Sequence, residues 1–278
     1  MRITADAARA LLAAGNAVAL DCRFDLADPG AGARGFIEGH LPQSIHADLD
    51  RHLSDLTISG HGRHPLPTAK AFHRWLGEVG LRTDQTIIVY DGGIGMMAAR
   101  AWWLLRHVGH PDVRLLDGGL DAWGDADLEA GAVAALGPAT TVPWAWGRMP
   151  TLGTPDLATA LRTGEILLVD ARAAPRFEGA EEPLDRVAGH VPGAVNHPLT
   201  ANVSGGRFLE RGALAASWQD RLGATDPARV VHMCGSGVTA CFNLFAMEHA
   251  GLTGSALYWP SWSGWIEDEM RPVAVGPA

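Results

Sequence analysis

The most reactive arrangement in this sequence is a cysteine in a glycine-bracketed loop. Cys234-Gly235-Ser236-Gly237-Val238-Thr239-Ala240 follows the apolar run Arg229-Val230-Val231-His232-Met233 and leads into 240–250, which has a helical pattern. A sulfur at a strand end, with glycines that let the backbone curl and a helix directly behind, faces several N–H groups and the positive end of a helix dipole. That setting favours the thiolate, the nucleophilic form of cysteine. Cys234 is therefore the candidate nucleophile, and Gly235, Gly237, Val238 and Thr239 of the loop around it are candidate substrate-binding residues. The other two cysteines, Cys22 and Cys241, read as packing residues. Three cysteines with no CxxC pair supply neither a disulfide framework nor a zinc site of the usual spacing, which points to a reducing, cytoplasmic environment and to no metal. A phosphatase-type loop carries an arginine after five intervening residues, where its planar fork grips phosphate. Ala240 stands there, so phosphoryl transfer is disfavoured and chemistry on sulfur remains.

The elements that must position this loop come in two copies. Val18-Ala19-Leu20-Asp21-Cys22-Arg23 is echoed by Leu168-Val169-Asp170-Ala171-Arg172, and Gly39-His40-Leu41-Pro42 by Gly189-His190-Val191-Pro192. The run 86–90 followed by DGGIGMMAA matches 229–233 followed by CGSGVTA, with Asp91 opposite Cys234, and Gly119-Leu120-Asp121-Ala122-Trp123 lies opposite Ser261-Trp262-Ser263-Gly264-Trp265. Four matches in the same order, at an offset that shrinks slowly along the chain, indicate a duplicated domain. Within each copy, short β-branched runs alternate with helical patterns, so an α/β architecture is expected: a mainly parallel sheet flanked by helices. The domains are placed at 1–136 and 156–278. Between them, 137–155 is rich in proline and glycine, lacks helical periodicity and reads as a linker.

The first copy offers a rival chemistry. Gly93-Ile94-Gly95-Met96-Met97-Ala98 fits GxGxxA after a strand, with Asp117 downstream, the pattern of a dinucleotide site. The matched loop of the second copy lacks one element of it, and a lone glycine pattern is weak. The formal net charge of −9 and the absence of a basic run argue against nucleic acid. Apolar stretches such as 98–105 fall well short of the roughly 20 residues that span a bilayer.

The paired GHLP and GHVPGAVN segments, DGGLDAW and above all CGSGVTA resemble the two-domain rhodanese family of sulfurtransferases, over about 18–265. Within that family CGSGVT is similar to the loop of 3-mercaptopyruvate sulfurtransferases, whereas thiosulfate sulfurtransferases tend to carry a basic pair where Gly235 and Ser236 stand. The resemblance implies two tandem rhodanese-like domains, of which the first, with Asp91 at the cysteine position, is non-catalytic. It implies sulfur transfer from a small-molecule donor through a Cys234 persulfide to cyanide, a small thiol or a thioredoxin-like protein, without a cofactor. Arg176 and Arg186, ten positions apart and one more than in relatives, resemble the family's substrate-binding pair. Both have acidic neighbours, among them Glu178, Glu182 and Asp185, with which they could pair instead. His64, in Arg63-His64-Pro65-Leu66-Pro67, and Asp50 resemble the histidine and aspartate that relatives pair with the loop serine, here Ser236. His232 reads as core, and the GH(L/V)P segments, present in both copies, read as structural turns. Trp259 and Trp262 are candidates for a pocket wall. Thiosulfate as donor and a non-catalytic persulfide carrier are the alternatives.

Overall fold

The computed structural model describes residues 1–277. The chain divides into two compact units, one of Met1–Asp55 with Leu66–Arg148, the other of Leu56–Pro65 with Met149–Ala278. The segment 137–148, expected as part of a linker, packs within the first unit. Its backbone is fastened by N–H groups of Thr140 to the Gly77 carbonyl at 2.9 Å and of Arg148 to the His107 carbonyl at 3.0 Å.

The first unit runs β1 (Arg2–Ile3), α1 (Ala5–Ala13), β2 (Ala17–Asp21), α2 (Ala31–Glu38), β3 (Ser44–His46), α3 (Ala69–Glu78), β4 (Thr86–Tyr90), α4 (Ala98–His107), β5 (Val113–Leu116) and α5 (Gly119–Trp123). Its five strands are all parallel, in the order β1-β5-β4-β2-β3. Every residue of β2 is buried, as expected of a parallel strand covered on both faces. Thr4 and Thr68 open α1 and α3, each side-chain oxygen accepting an N–H of the first turn.

The second unit repeats the plan: β6 (Thr151–Leu152), α6 (Thr154–Thr163), β7 (Leu167–Asp170), α7 (Ala174–Glu178), β8 (Val195–Asn196), the small hairpin β9 (Val203–Ser204) and β10 (Arg207–Phe208), α8 (Arg211–Leu222), β11 (Val230–Met233), α9 (Ala240–Ala250), β12 (Ala256–Tyr258) and α10 (Ser261–Trp265). Its sheet order, β6-β12-β11-β7-β8, is that of the first unit strand for strand. The duplication read from sequence is thus a duplication of topology. In α9, Ala240 to Met247 are all buried, because the helix lies on the sheet while Phe208 of the hairpin stacks on Phe242 from outside at 4.5 Å. Leu168, Val231, Met233, Tyr258, Trp262 and Trp265 form the core beneath.

The GH(L/V)P segments serve the same structural purpose in each unit. The imidazole of His40 stacks on Phe36 at 3.9 Å and that of His190 on Phe177 at 3.8 Å, and in both a ring nitrogen bonds the carbonyl of the same phenylalanine. The Asp-x-Arg pairs are equally repeated: Asp21 with Arg23, and Asp170 with Arg172, whose guanidinium also holds the Gly189 carbonyl at 2.7 Å.

Candidate active site

Cys234 follows the last residue of β11 and is 1% exposed. The Gly237 N–H donates to its sulfur at 3.2 Å. Gly237 has φ of +78° and its Cα faces the Trp259 carbonyl, which an added Cβ would approach to 2.3 Å, so no other residue fits there without moving the backbone. The loop is tied to the start of α10 by three bonds: Trp262 N–H to the Cys234 carbonyl at 3.0 Å, Ser263 N–H to the Gly235 carbonyl at 2.8 Å, and Cys234 N–H to Ser261 Oγ at 3.1 Å. Ser261 makes the last of these from a left-handed backbone, φ 54°. Val238 and Thr239 complete the turn into α9, Val238 buried and Thr239 at the helix start.

A strap from the N-terminal half, Leu56–Pro65, belongs to this unit. It is fastened by Gly62 N–H to Glu267 Oε1 at 2.7 Å, by Arg63 N–H to Ser263 Oγ at 3.0 Å, and by the His61 ring against Trp259 at 5.0 Å. Gly62, at φ +83°, sits so close to the Pro260 carbonyl that a Cβ would meet it at 2.6 Å. The strap brings buried His64 to the loop, where Nδ1 lies 2.8 Å from Ser236 Oγ. Of the sequence candidates, then, Cys234, Gly235, Ser236, Gly237, Val238, Thr239 and His64 come together. Asp50 lies in the first unit, its N–H donating to the Asp48 carboxylate at 2.9 Å; burial and the Asp48 charge push its carboxyl above the ordinary value.

Arginines gather beside the loop at Gly235. Arg176, on α7, donates to Glu182 at 2.7 Å and to Asp185 at 3.3 Å. Arg63, from the strap, pairs with the same Asp185. Glu182 and Asp185 are almost fully enclosed and act as a buried brace for these cations, with Arg172 also donating to Glu182. Arg186 is not drawn into this cluster: its guanidinium donates to the Ile266 carbonyl and to Glu269 and is half exposed. Arg63 was not singled out from sequence; only its adjacency to His64 pointed towards it.

The first-unit loop has the same scaffold with different contents. Leu120 N–H bonds the Asp91 carbonyl at 2.8 Å and Asp121 N–H the Gly92 carbonyl at 3.1 Å, as Trp262 and Ser263 do in the second unit. In place of sulfur the cradle holds the Asp91 carboxylate, which accepts from the N–H groups of Gly93, Gly95, Met97 and Ala98 at 2.9 to 3.3 Å. Burial raises its pKa although all four donors favour the charged form. The donors that would cradle a pyrophosphate are thus already used, which removes the dinucleotide reading of GGIGMMA. His232, in β11, is fully buried with both ring nitrogens unpartnered and is a core residue. Trp262 is fully buried and Trp259 partly so. Among the described residues no group of three or more His, Cys, Asp or Glu is arranged to hold a metal ion, and no helix is long and apolar enough to cross a membrane.

The rhodanese-like domain model matches the chain twice, over residues 4–126 and 154–268. The chain is 44% identical, over 99% of its length and 98% of the relative's, to a probable 3-mercaptopyruvate sulfurtransferase of Pseudomonas aeruginosa. It is 40% identical, over 99% of its length and 97% of the relative's, to a putative thiosulfate sulfurtransferase of Mycobacterium tuberculosis. Among solved structures it resembles that of SseA from Escherichia coli, described as a 3-mercaptopyruvate sulfotransferase, with a TM-score of 0.77, 31% identity and coverage of 94% of this chain and 98% of that one.

Proposed function

The chain belongs to the rhodanese family of sulfurtransferases, and from that premise we propose that it moves sulfur from 3-mercaptopyruvate to a thiol through a persulfide on Cys234. The observation that carries this reading is the pairing of Ser236 with His64 at 2.8 Å, two residues beyond a cysteine whose sulfur accepts a backbone N–H. In the first half-reaction the Cys234 thiolate attacks the donor sulfur. An S–S bond forms, the C–S bond breaks and its electron pair passes to carbon, giving the enolate of pyruvate. The donor's thiol proton ends on that carbon, and a hydroxyl and an imidazole in contact suit a proton that leaves sulfur and returns to carbon. Arginine beside the loop offsets the donor carboxylate and the charge that develops on the leaving group. In the second half-reaction an acceptor thiolate, or cyanide, attacks the outer sulfur and the S–S electron pair returns to Cys234. Covalent catalysis divides one hard displacement into two, and the electrons balance without an organic cofactor.

The acceptor is a small thiol or a thioredoxin-like protein. Three cysteines, none of them in a disulfide, support a reducing compartment, and we place the reaction in the cytoplasm. Thiosulfate is the second reading. It is favoured by the Arg63 guanidinium, which brings a cation to a loop that has none of its own, and by the Mycobacterium tuberculosis relative. The test is the ratio of pyruvate release from 3-mercaptopyruvate to sulfite release from thiosulfate, with one thiol acceptor. A larger pyruvate rate is expected; a larger sulfite rate reverses the donor assignment, and persulfide formation without turnover on either donor indicates a carrier. Ser236→Ala should lower use of 3-mercaptopyruvate by roughly ten- to a thousandfold if the hydroxyl handles the proton.

A further inference from the structure

Two guanidinium ends converge on Gly235, a loop position that carries no side chain. A Cβ built on Gly235 would lie 2.9 Å from Arg63 Nη2, 3.5 Å from Arg176 Nη2 and 3.7 Å from Arg176 Nη1. Each arginine is anchored from behind. Arg63 donates through Nη1 to Asp185, and Arg176 through Nε and Nη2 to Glu182, with Nη2 reaching Asp185 as well. The brace leaves other donors uncommitted. Among the described residues no acceptor takes the Nη2 hydrogens of Arg63 or the Nη1 hydrogens of Arg176, although both residues are largely enclosed, with side-chain exposures of 29% and 18%. Burial pushes the Arg63 guanidinium below its ordinary value, and the Cys234 sulfur acts in the opposite direction, which puts this cation within electrostatic reach of the nucleophile. Two preorganised cations with free N–H ends, held by buried carboxylates next to an enclosed sulfur, form a site for an oxyanion.

We propose that Arg63 and Arg176, converging on Gly235, form the oxyanion-binding pair for the sulfur donor, and that Arg186 takes no part in it. The inference rests on the sulfurtransferase reading and names the residues that hold the donor. Arg63 is recruited from a segment far upstream of the loop. The strap delivers it together with His64, so neighbouring residues supply one group for the donor's charge and one for its proton. A carboxylate two bonds from the reacting carbon and the sulfonate-like end of thiosulfate present the same planar or trigonal oxygens to such a pair. Gly235 has a specific part in this: without a Cβ it lets both guanidinium ends approach the backbone, and a methyl there displaces the Arg63 end.

The experiment uses the full chain and separates binding from turnover. Steady-state KM and kcat with 3-mercaptopyruvate and with thiosulfate are measured for Arg63→Ala, Arg63→Lys, Gly235→Ala and Arg186→Ala, with thermal melting to confirm folding. Binding of pyruvate and of sulfate is followed in parallel by calorimetry. Arg63→Ala is expected to raise KM for the donor by about ten- to a hundredfold, on the scale of a lost charge-assisted contact, and to weaken pyruvate and sulfate binding alike. Lysine should restore part of the loss, Gly235→Ala should raise KM several-fold, and Arg186→Ala should change KM much less than Arg63→Ala does. Transfer from preformed Cys234 persulfide to the thiol acceptor, which involves no donor oxyanion, should survive Arg63→Ala. An Arg63→Ala protein with unchanged KM and unchanged anion binding overturns the proposal, as does an Arg186→Ala protein that loses as much. If the wild type turns over neither donor yet loses sulfate binding on Arg63→Ala, the pair stands and the sulfurtransferase reading is what fails.

Discussion

Three cysteines share one chain, and their surroundings assign them different fates. Cys22 is buried at the end of β2, where burial, Asp21 and Asp91 push its thiol well above the ordinary value, so it remains protonated. Cys241 is buried in the first turn of α9 and donates to the Gly237 carbonyl at 3.5 Å. The Cys234 sulfur accepts the Gly237 N–H from within a glycine-bracketed loop at a strand end, so Cys234→Ser should abolish sulfur transfer while Cys22→Ser and Cys241→Ser keep most of it. Mass spectrometry of donor-treated protein should find the added sulfur on Cys234 alone; sulfur on either of the others would misplace the active loop. Arg176→Ala should weaken use of 3-mercaptopyruvate by about 2 to 3 kcal/mol, the scale of a bidentate charge-assisted contact, with partial rescue by lysine. Unchanged kcat/KM would confine Arg176 to bracing Glu182.

At the scale of an element, the nucleophile loop depends on the start of α10 as much as on its own glycines. The first unit uses Gly119, φ 55°, at the position where the second has Ser261, φ 54°. A serine in the left-handed region is disfavoured, yet here its hydroxyl accepts the Cys234 N–H and donates to the Tyr258 carbonyl, both at 3.1 Å. Two opposing terms therefore set the outcome of substitution. Ser261→Gly relieves roughly 1 kcal/mol of backbone strain but leaves the buried Cys234 N–H unpaired at about 1 to 3 kcal/mol, while Ser261→Ala keeps the strain and loses the bond. Urea unfolding should rank the alanine variant as the less stable of the two, both below wild type; equal stability of wild type and glycine variant would mean that the hydroxyl contributes nothing.

For the whole molecule, buried neutral histidines set the acid limit. Burial lowers His232 from 6.5 to about 3, and His197 and His52 from 6.5 to about 4. His232 and His197 flank Trp218 inside the second unit, and His52 stacks on Trp75 in the first. All three are neutral in both folded and unfolded chains above pH 6.5. Between 6.5 and about 4 the unfolded chain binds protons that the folded one refuses, so stability falls as the pH falls, by on the order of several kcal/mol in total. Urea midpoints at pH 7.5 and pH 5 should show the drop. His232→Leu should flatten it at modest cost at neutral pH, because neither ring nitrogen has a partner to lose. A midpoint that does not change between the two pH values would contradict this account.

Local rules carried the sequence reading a long way. Glycines around a cysteine at a strand end, β-branched runs alternating with helical ones and a motif set repeated in order are all short-range features, so the α/β duplication and the position of Cys234 were legible from residue types and spacing. Other contributions were decided by packing between residues far apart in the chain. Arg186 is close in sequence to Arg176 yet turns to the Ile266 carbonyl, whereas Arg63 reaches Gly235 because the Gly62 N–H is fastened to Glu267 and the Arg63 N–H to Ser263. The stretch 137–148 has the composition of a linker, but its backbone finds partners on α3 and α4. Composition records that a segment is neither helix nor strand; where its hydrogen bonds are satisfied, and which of two arginines reaches the loop at Gly235, depends on surfaces that exist only once the chain has folded.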